Sequence, residues 1–246
     1  ALSFLGFANY VDTLNDREFW QATQWTLIYT AITLPVQLVL GLLVALCLDK
    51  VVHCRNVMIS VILLPFIVTP VVGTMFFALL FKDPWGFYTQ MLNAVGIHID
   101  WYASVWGSRA LLMIFRVWMA TPFVILILFA GLQSMNREPL ESSLIDGANA
   151  WQRILYVVIP ALRPLMLFVA MVIVMDNYRE FDSVFVMTQG GPFGATETLM
   201  FYNYKVSFAQ QALGRGSAVS VLTVVGVMVL LLPFLYLTYR EQTAQK

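Results

Sequence analysis

The chain has 246 residues and a formal charge of zero; 60% of its residues are hydrophobic and only 11% are charged. That balance lies far outside the range of soluble domains, and zero net charge leaves no polybasic surface to point to nucleic acid. Lipid is the solvent such a chain needs.

Four stretches lack Asp, Glu, Lys, Arg and His: Phe19 to Leu48 (30 residues), Asn56 to Phe81 (26), Val117 to Asn136 (20) and Gly216 to Tyr239 (24). Each reaches the ~20 residues a helix needs to cross a hydrocarbon core of ~30 Å. A soluble bundle of such helices would need polar faces to meet water, and these runs have none. Five spans are therefore expected, at Trp25 to Leu48, Val57 to Phe81, Ala110 to Gly131, Leu162 to Met175 with its flanks, and Gly216 to Tyr239. Pro35, Pro65, Pro70, Pro122 and Pro233 fall inside or at the ends of these spans and predict kinks, since neighbouring helices can satisfy the freed carbonyls. Cys47 and Cys54 flank one helix end without a metal-binding spacing and read as apolar filler.

The loops alternate in basic density. Loop one (Asp49 to Asn56), loop three (Leu132 to Arg163) and the tail after Tyr239 carry seven Lys and Arg in about 47 residues; the loops of the other side carry six in about 89. The denser set is assigned to the cytoplasm. This places Ala1 outside and Lys246 inside, and predicts a sixth span preceding Ala1. The opening has no basic segment followed by an apolar run, so no signal peptide is expected. Trp20, Trp101, Trp106 and Tyr239 stand near span ends and fit interfacial belts.

Loop three, with its flanks 132–160, is long for a linker. Asn136 is suited to cap a short helix running to about Ile145, with Pro139 in its first turn and Glu138 and Glu141 near its positive end. Gly147 permits a sharp turn. A second short amphipathic helix is expected from Asn149 to Ile159, ending at Pro160 before the next span. A helix-turn-helix outside the membrane is a shape suited to a partner's groove.

At this loop the chain resembles the inner-membrane permeases of ABC importers. Glu141, Asp146, Gly147, Ala148, Trp151, Ile159 and Pro160 reproduce the spacing of their cytoplasmic coupling motif, the EAA loop. Ser142 and Ser143 stand where the pattern usually has two alanines, and Ile154 where it has phenylalanine; helix and apolar character are kept. The opening Gly6-Phe-Ala-Asn-Tyr10 and the outer loop Thr188-Gln-Gly-Gly-Pro192, followed by Thr196-Glu-Thr198, resemble the carbohydrate branch, of maltose and glycerol-phosphate type, and its subunit with the Gly-Gly-Pro loop. Asp-Gly-Ala alone is a common turn, and Gly190, Gly191 and Pro192 alone would be another; the joint spacing within flanking spans carries the resemblance.

The resemblance implies a single all-α permease domain over 1–246, a kinked transmembrane bundle with a cytoplasmic coupling helix, in the bacterial inner membrane. It implies a heterodimer with a second permease, a homodimeric ATPase at the cytoplasmic face, and a periplasmic or lipid-anchored sugar-binding protein. No Gly-x-x-x-x-Gly-Lys-Ser/Thr phosphate loop occurs, so ATP and Mg are expected on the partner, with no cofactor in this chain. Glu141, Ser142, Asp146, Gly147 and Ala148 are the expected ATPase-coupling residues, transmitting alternating access as a rigid-body movement.

Charges within spans are costly, at ~2.5 to 3.5 kcal/mol near a helix centre, and mark function. Arg116 and Asp176 are such charges. They read either as a structural ion pair or as substrate contacts. In permeases of the maltose type the matching segments line the sugar site, so Arg116, Ala120, Phe123, Asp176 and Asn177 inherit that role from the resemblance. Thr69 and Gly73, small residues beside Pro70, are added as a break that opens room for ligand. Charges where the family has amides or aromatics suggest an anionic or strongly hydrogen-bonding sugar. A polyol or a phosphorylated solute is the alternative cargo, and a channel or intramembrane enzyme without an ATPase the alternative class. His53 and His98 both fall in loops, which leaves no catalytic constellation and no metal site.

Overall fold

The computed structural model describes residues 6–51 and 53–244. A short helix α1 (Ala8–Leu14) leads into α2 (Arg17–Lys50), whose start is capped by the Asp16 carboxylate accepting the Glu18 N–H at 2.8 Å. Next come α3 (Arg55–Ile67), α4 (Pro70–Leu80), α5 (Phe87–Ala94) and α6 (Val105–Ser134), the last capped by Ser104. A short α7 (Glu138–Ile145) and α8 (Ala150–Arg153) precede α9 (Ile159–Tyr178), α10 (Leu199–Tyr204) and α11 (Leu213–Ala244).

Among the described residues, four helical runs are long and apolar enough to cross a membrane: Arg17–Lys50, Val105–Ser134, Ala150–Tyr178 and Leu213–Arg240. The second expected span departs from a single helix. It breaks between α3 and α4 with a bend of 96°. Pro70 cannot donate to a preceding carbonyl and pushes Thr69 out of helical geometry, so the chain restarts there with Pro70 in the first turn.

The expected stop at Pro160 does not occur. The helix that opens at Ala150 runs through a π-turn at Ile154–Val158 and onward to Tyr178. A π-turn already gives up one ordinary ladder bond, so the missing Pro160 N–H is absorbed at the junction. The fourth span is correspondingly longer than its apolar core, Leu162 to Met175.

Helices α2, α6 and α9 form the centre. Gly41 lies so close to α6 that a Cβ there would sit 2.5 Å from Val124 Cγ1; such small residues let membrane helices approach. Apolar packing divides along the bundle. Towards the α7 end, Leu42, Val124, Leu128, Leu162 and Val169 interlock; towards the opposite end, Trp25, Tyr29, Phe77, Leu111, Phe115 and Val184 do so. A third group, including Phe19, Val174, Tyr202 and Val219, fastens α11. Trp101 belongs to the second group rather than to an interfacial belt: only 6% exposed, it packs edge-on to Phe81 at 5.0 Å. Trp20, Trp106 and Tyr239 are exposed, as a belt requires.

Candidate functional site

Between the two main apolar groups lies a band of polar side chains from three elements. Arg116 projects from α6, Asp176 and Asn177 from the last turn of α9, and Thr33 from the middle of α2. The Arg116 Nε–H donates to Asn177 Oδ1 at 2.9 Å, and Asn177 Nδ2 donates to Thr33 Oγ1 at 2.9 Å. Nη1 donates to Glu180 Oε2 at 3.2 Å, and Nη2 stands 3.7 Å from Asp176 Oδ2. A cation with its side chain only 14% exposed must have such partners, because an unpaired charge at this depth costs several kcal/mol.

Glu180 was not among the expected site residues. It follows the C-terminus of α9, where the sequence reads as external loop, yet its side chain is only 9% exposed. Its second oxygen accepts the Ser183 N–H and hydroxyl, while its carbonyl accepts the Thr198 hydroxyl at 2.7 Å. The segment after α9 folds back into the bundle, and Thr198 holds it there. The four-residue spacing from Asp176 to Glu180 was the available signal. Asp176 itself remains half exposed.

A cavity of about 320 Å³ opens beside this network. The α3–α4 break supplies Phe66, Val68 and Pro70, α6 supplies Phe115, Arg116, Met119 and Ala120, the last turn of α9 supplies Asp176, and the segment after it supplies Arg179 to Asp182. Of the expected residues, Arg116, Ala120 and Asp176 line it. Asn177 sits behind Arg116, fully buried. Phe123 does not line the cavity but stacks on Phe66, ring centroids 5.7 Å apart. Thr69 is exposed at the break, its carbonyl accepting the Gly73 N–H, and Gly73 is buried against Met119. None of these three lines the cavity; Phe123 and Gly73 pack behind its lining residues Phe66 and Met119.

Aromatic faces from Phe66, Phe115 and Phe181 with carboxylates and guanidinium groups at one side suit an amphipathic, hydroxyl-rich ligand. Among the described residues, no group of three His, Cys, Asp or Glu is placed to hold a metal ion.

At the far end, α7 has no buried residue, and Glu141, Ser142, Asp146 and Gly147 are all exposed while Ala148 is half-buried. Gly147 has φ +76°, a left-handed turn that closes with Ala148 N–H donating to Ser143 O at 3.0 Å. Arg137, rather than Asn136, occupies the cap position of α7, although Asn136 Oδ1 accepts the Glu138 N–H at 3.1 Å. Asn149 and Gln152 form a reciprocal capping box at the start of α8. The base of the loop is tied to the bundle by Arg137 on Asp49, at 3.0 Å, with Gln133 on the same carboxylate. An aspartate in the last turn of α2 opposes that helix's dipole, which was the signal that it had a cationic partner.

At the opposite end the Gly-Gly-Pro loop is held in shape. Thr196 Oγ1 bonds Gly191 O and Thr188 Oγ1, and Arg109 Nε donates to Ala195 O at 2.9 Å. Phe193 at its tip is 98% exposed.

Residues 17–241 match the family described as binding-protein-dependent transport system inner membrane component. A probable ABC transporter permease protein, y4oQ of Sinorhizobium fredii, is 34% identical over 243 residues, covering 99% of this chain and 79% of that one. The trehalose/maltose transport system permease protein MalF of Thermococcus litoralis is 32% identical over 228 residues, covering 92% and 76%. Among solved structures, a bacterial ABC transporter involved in the import of the acidic polysaccharide alginate superposes with a TM-score of 0.84 at 18% identity, covering 96% of this chain and 84% of that chain. The overlap establishes a common fold.

Proposed function

We propose a function from the premise that this chain belongs to the family of binding-protein-dependent transport system inner membrane components, whose pattern spans residues 17–241. It is the permease subunit of an ATP-driven sugar importer. It lines half of the translocation path, and a second permease completes it. The trehalose/maltose permease of Thermococcus litoralis, with the arabinooligosaccharide permease of Halalkalibacterium halodurans at 31% identity, supports carbohydrate as the cargo.

The observation that carries the reading is α7: a short helix without a buried residue, ending in the left-handed turn at Gly147 and anchored at its base through Arg137 and Asp49. Exposed Leu144, Ile145 and Trp151 surround the turn, and apolar groups left at the tip of a rigid projection suit a partner's groove. The partner is an ATPase dimer that binds ATP with Mg, and Glu141, Ser142, Asp146, Gly147 and Ala148 make the contact. That face is cytoplasmic, as the denser basic loops indicate, and the C-terminus shares it. An external sugar-binding protein delivers solute at the opposite face. Closure of the ATPase dimer moves α7, and α9 carries the movement to the cavity because Ala150–Tyr178 is one continuous helical run.

The test is a disulfide cross-link. Cysteine at Ser142, in a chain with Cys47→Ser and Cys54→Ser, should join a cysteine on the ATPase surface in membranes containing the whole importer. Adducts with lipid reagents alone, or with external proteins, would exclude the reading.

A further inference from the structure

The cavity beside Arg116 has a charge balance that bears on which solutes pass. Arg116 lines it with a guanidinium that is partly committed: Nε donates to Asn177 and Nη1 to Glu180, while Nη2 stands 3.7 Å from Asp176. Each parallel pair of N–H groups that could grip a carboxylate or phosphate, Nε with Nη2 and Nη1 with Nη2, therefore has one member already bonded within the protein. The lining carries two guanidinium groups, Arg116 and Arg179, against three carboxylates, Asp176, Glu180 and Asp182, leaving one formal negative charge in excess. The helix ends add to it: α3 and α9 bring negative C-termini, and α4 one positive N-terminus. Asp176, with 51% of its side chain exposed, holds Arg116 only loosely at 3.7 Å and keeps lone pairs for a ligand.

We propose that this cavity admits uncharged, hydroxyl-rich sugars and discriminates against anionic ones, with Asp176 the specificity-determining residue. A sugar hydroxyl donates to the carboxylate and gains a charge-assisted hydrogen bond; a uronate or phosphate meets a like charge there. The inference rests on the importer reading given above and fixes the charge class of its cargo. It runs against the simplest reading of an arginine inside a span, which would be an anion receptor. Arg116 is engaged in holding α6 to the end of α9, and the excess charge of the lining is negative, with Asp176 its half-exposed carboxylate beside Arg116.

The experiment uses the whole importer with its external receptor in proteoliposomes. Uptake is measured for maltose, cellobiose and trehalose, and for matched disaccharides in which one glucose is replaced by glucuronic acid. The quantity read is the uronate-to-neutral ratio within each variant, in which the amount of folded protein cancels; receptor preference, the same for every variant, cancels when variants are compared. Two unit charges about 6 Å apart interact by an amount that changes occupancy roughly 3-fold in water and roughly 100-fold at a protein boundary. Asp176→Asn should raise the ratio by a factor in that range, and the charge-conserving Asp176→Glu should leave it low. An unchanged ratio in Asp176→Asn, or a wild-type importer that takes uronates in preference, overturns this inference and leaves the importer reading intact. Absence of uptake for every sugar in the panel overturns the importer reading, and this inference falls with it.

Discussion

Arg116 is the residue on which the interior depends most. Its guanidinium satisfies the Asn177 amide oxygen and a Glu180 carboxylate whose side chain is 9% exposed, and removing it strands a negative charge inside the bundle. Breaking a buried pair from one side costs about 3 to 5 kcal/mol. Arg116→Ala should therefore lower the thermal midpoint of the purified assembly by several degrees and abolish uptake. Arg116→Lys should restore only part of the stability, because one ammonium on a shorter reach cannot replace both the Nε bond to Asn177 and the Nη1 bond to Glu180. In Arg116→Ala with Glu180→Gln the charge is gone as well, and the loss should be smaller than the sum of the two single losses. Thermal unfolding in detergent measures all three. At this scale the sequence announced Arg116 and Asp176, since charges interrupt apolar runs. It concealed Glu180 and Thr33, because what buries them is the return of a later segment and the packing of α2, and neither leaves a trace in local composition.

Among the elements, the α7–α8 turn has the clearest mechanical role. At φ +76°, Gly147 adopts a backbone that an L-residue with a Cβ enters at a cost of about 1 to 2 kcal/mol, although nothing lies within 4 Å of where that Cβ would be. Gly147→Ala therefore strains only the turn. The expected result is a thermal midpoint lowered by no more than a few degrees and a several-fold drop in sugar-stimulated ATP hydrolysis, as the projection changes direction against its groove. Gly147→Asn, whose side chain tolerates the left-handed region, should lie between the two. A midpoint that falls by more than a few degrees together with the ATPase rate would show a folding defect instead of a coupling one. Glycine at the turn and the acidic first turn of α7 were legible in the sequence. The run from α8 into α9 was not, since Pro160 reads as a stop wherever an ordinary helix is assumed, and the π-turn at Ile154–Val158 that accommodates it has no residue signature. The break at Pro70 is the converse: the same residue type at the end of one half-helix and the first turn of the next does interrupt the span.

Across the whole molecule, the first long helix and the last are joined at the end opposite α7. The Asp16 carboxylate caps α2 and accepts from Tyr202 and Arg215, so α11 is fastened to α2 by one acidic group. Beside it Lys205 bridges Glu197 at 2.8 Å and Glu18 at 3.1 Å, tying α2 to the segment that carries the Gly-Gly-Pro loop. Burial alone pushes the Asp16 carboxyl up, but the Tyr202 hydroxyl, the Glu18 N–H and Arg215 outweigh it and hold the group below its ordinary value of 3.8. A carboxyl with a depressed folded value contributes stability above its unfolded value and loses it as pH falls through the folded one. Burial pulls Lys205 down, yet the hydrogen bonds it donates to Glu197 and Glu18 leave it above its ordinary 10.5, so its contribution is complete below that pH and lost only at higher values. The clasp should be indifferent to pH between about 5 and 9. Thermal unfolding of the assembly should show a plateau over that range and a fall below pH ~4. Asp16→Asn should lower the plateau and flatten the acid limb, since the variant has no proton to take up at that site. Parallel acid limbs in the two proteins would mean that groups elsewhere, and not this clasp, govern acid sensitivity.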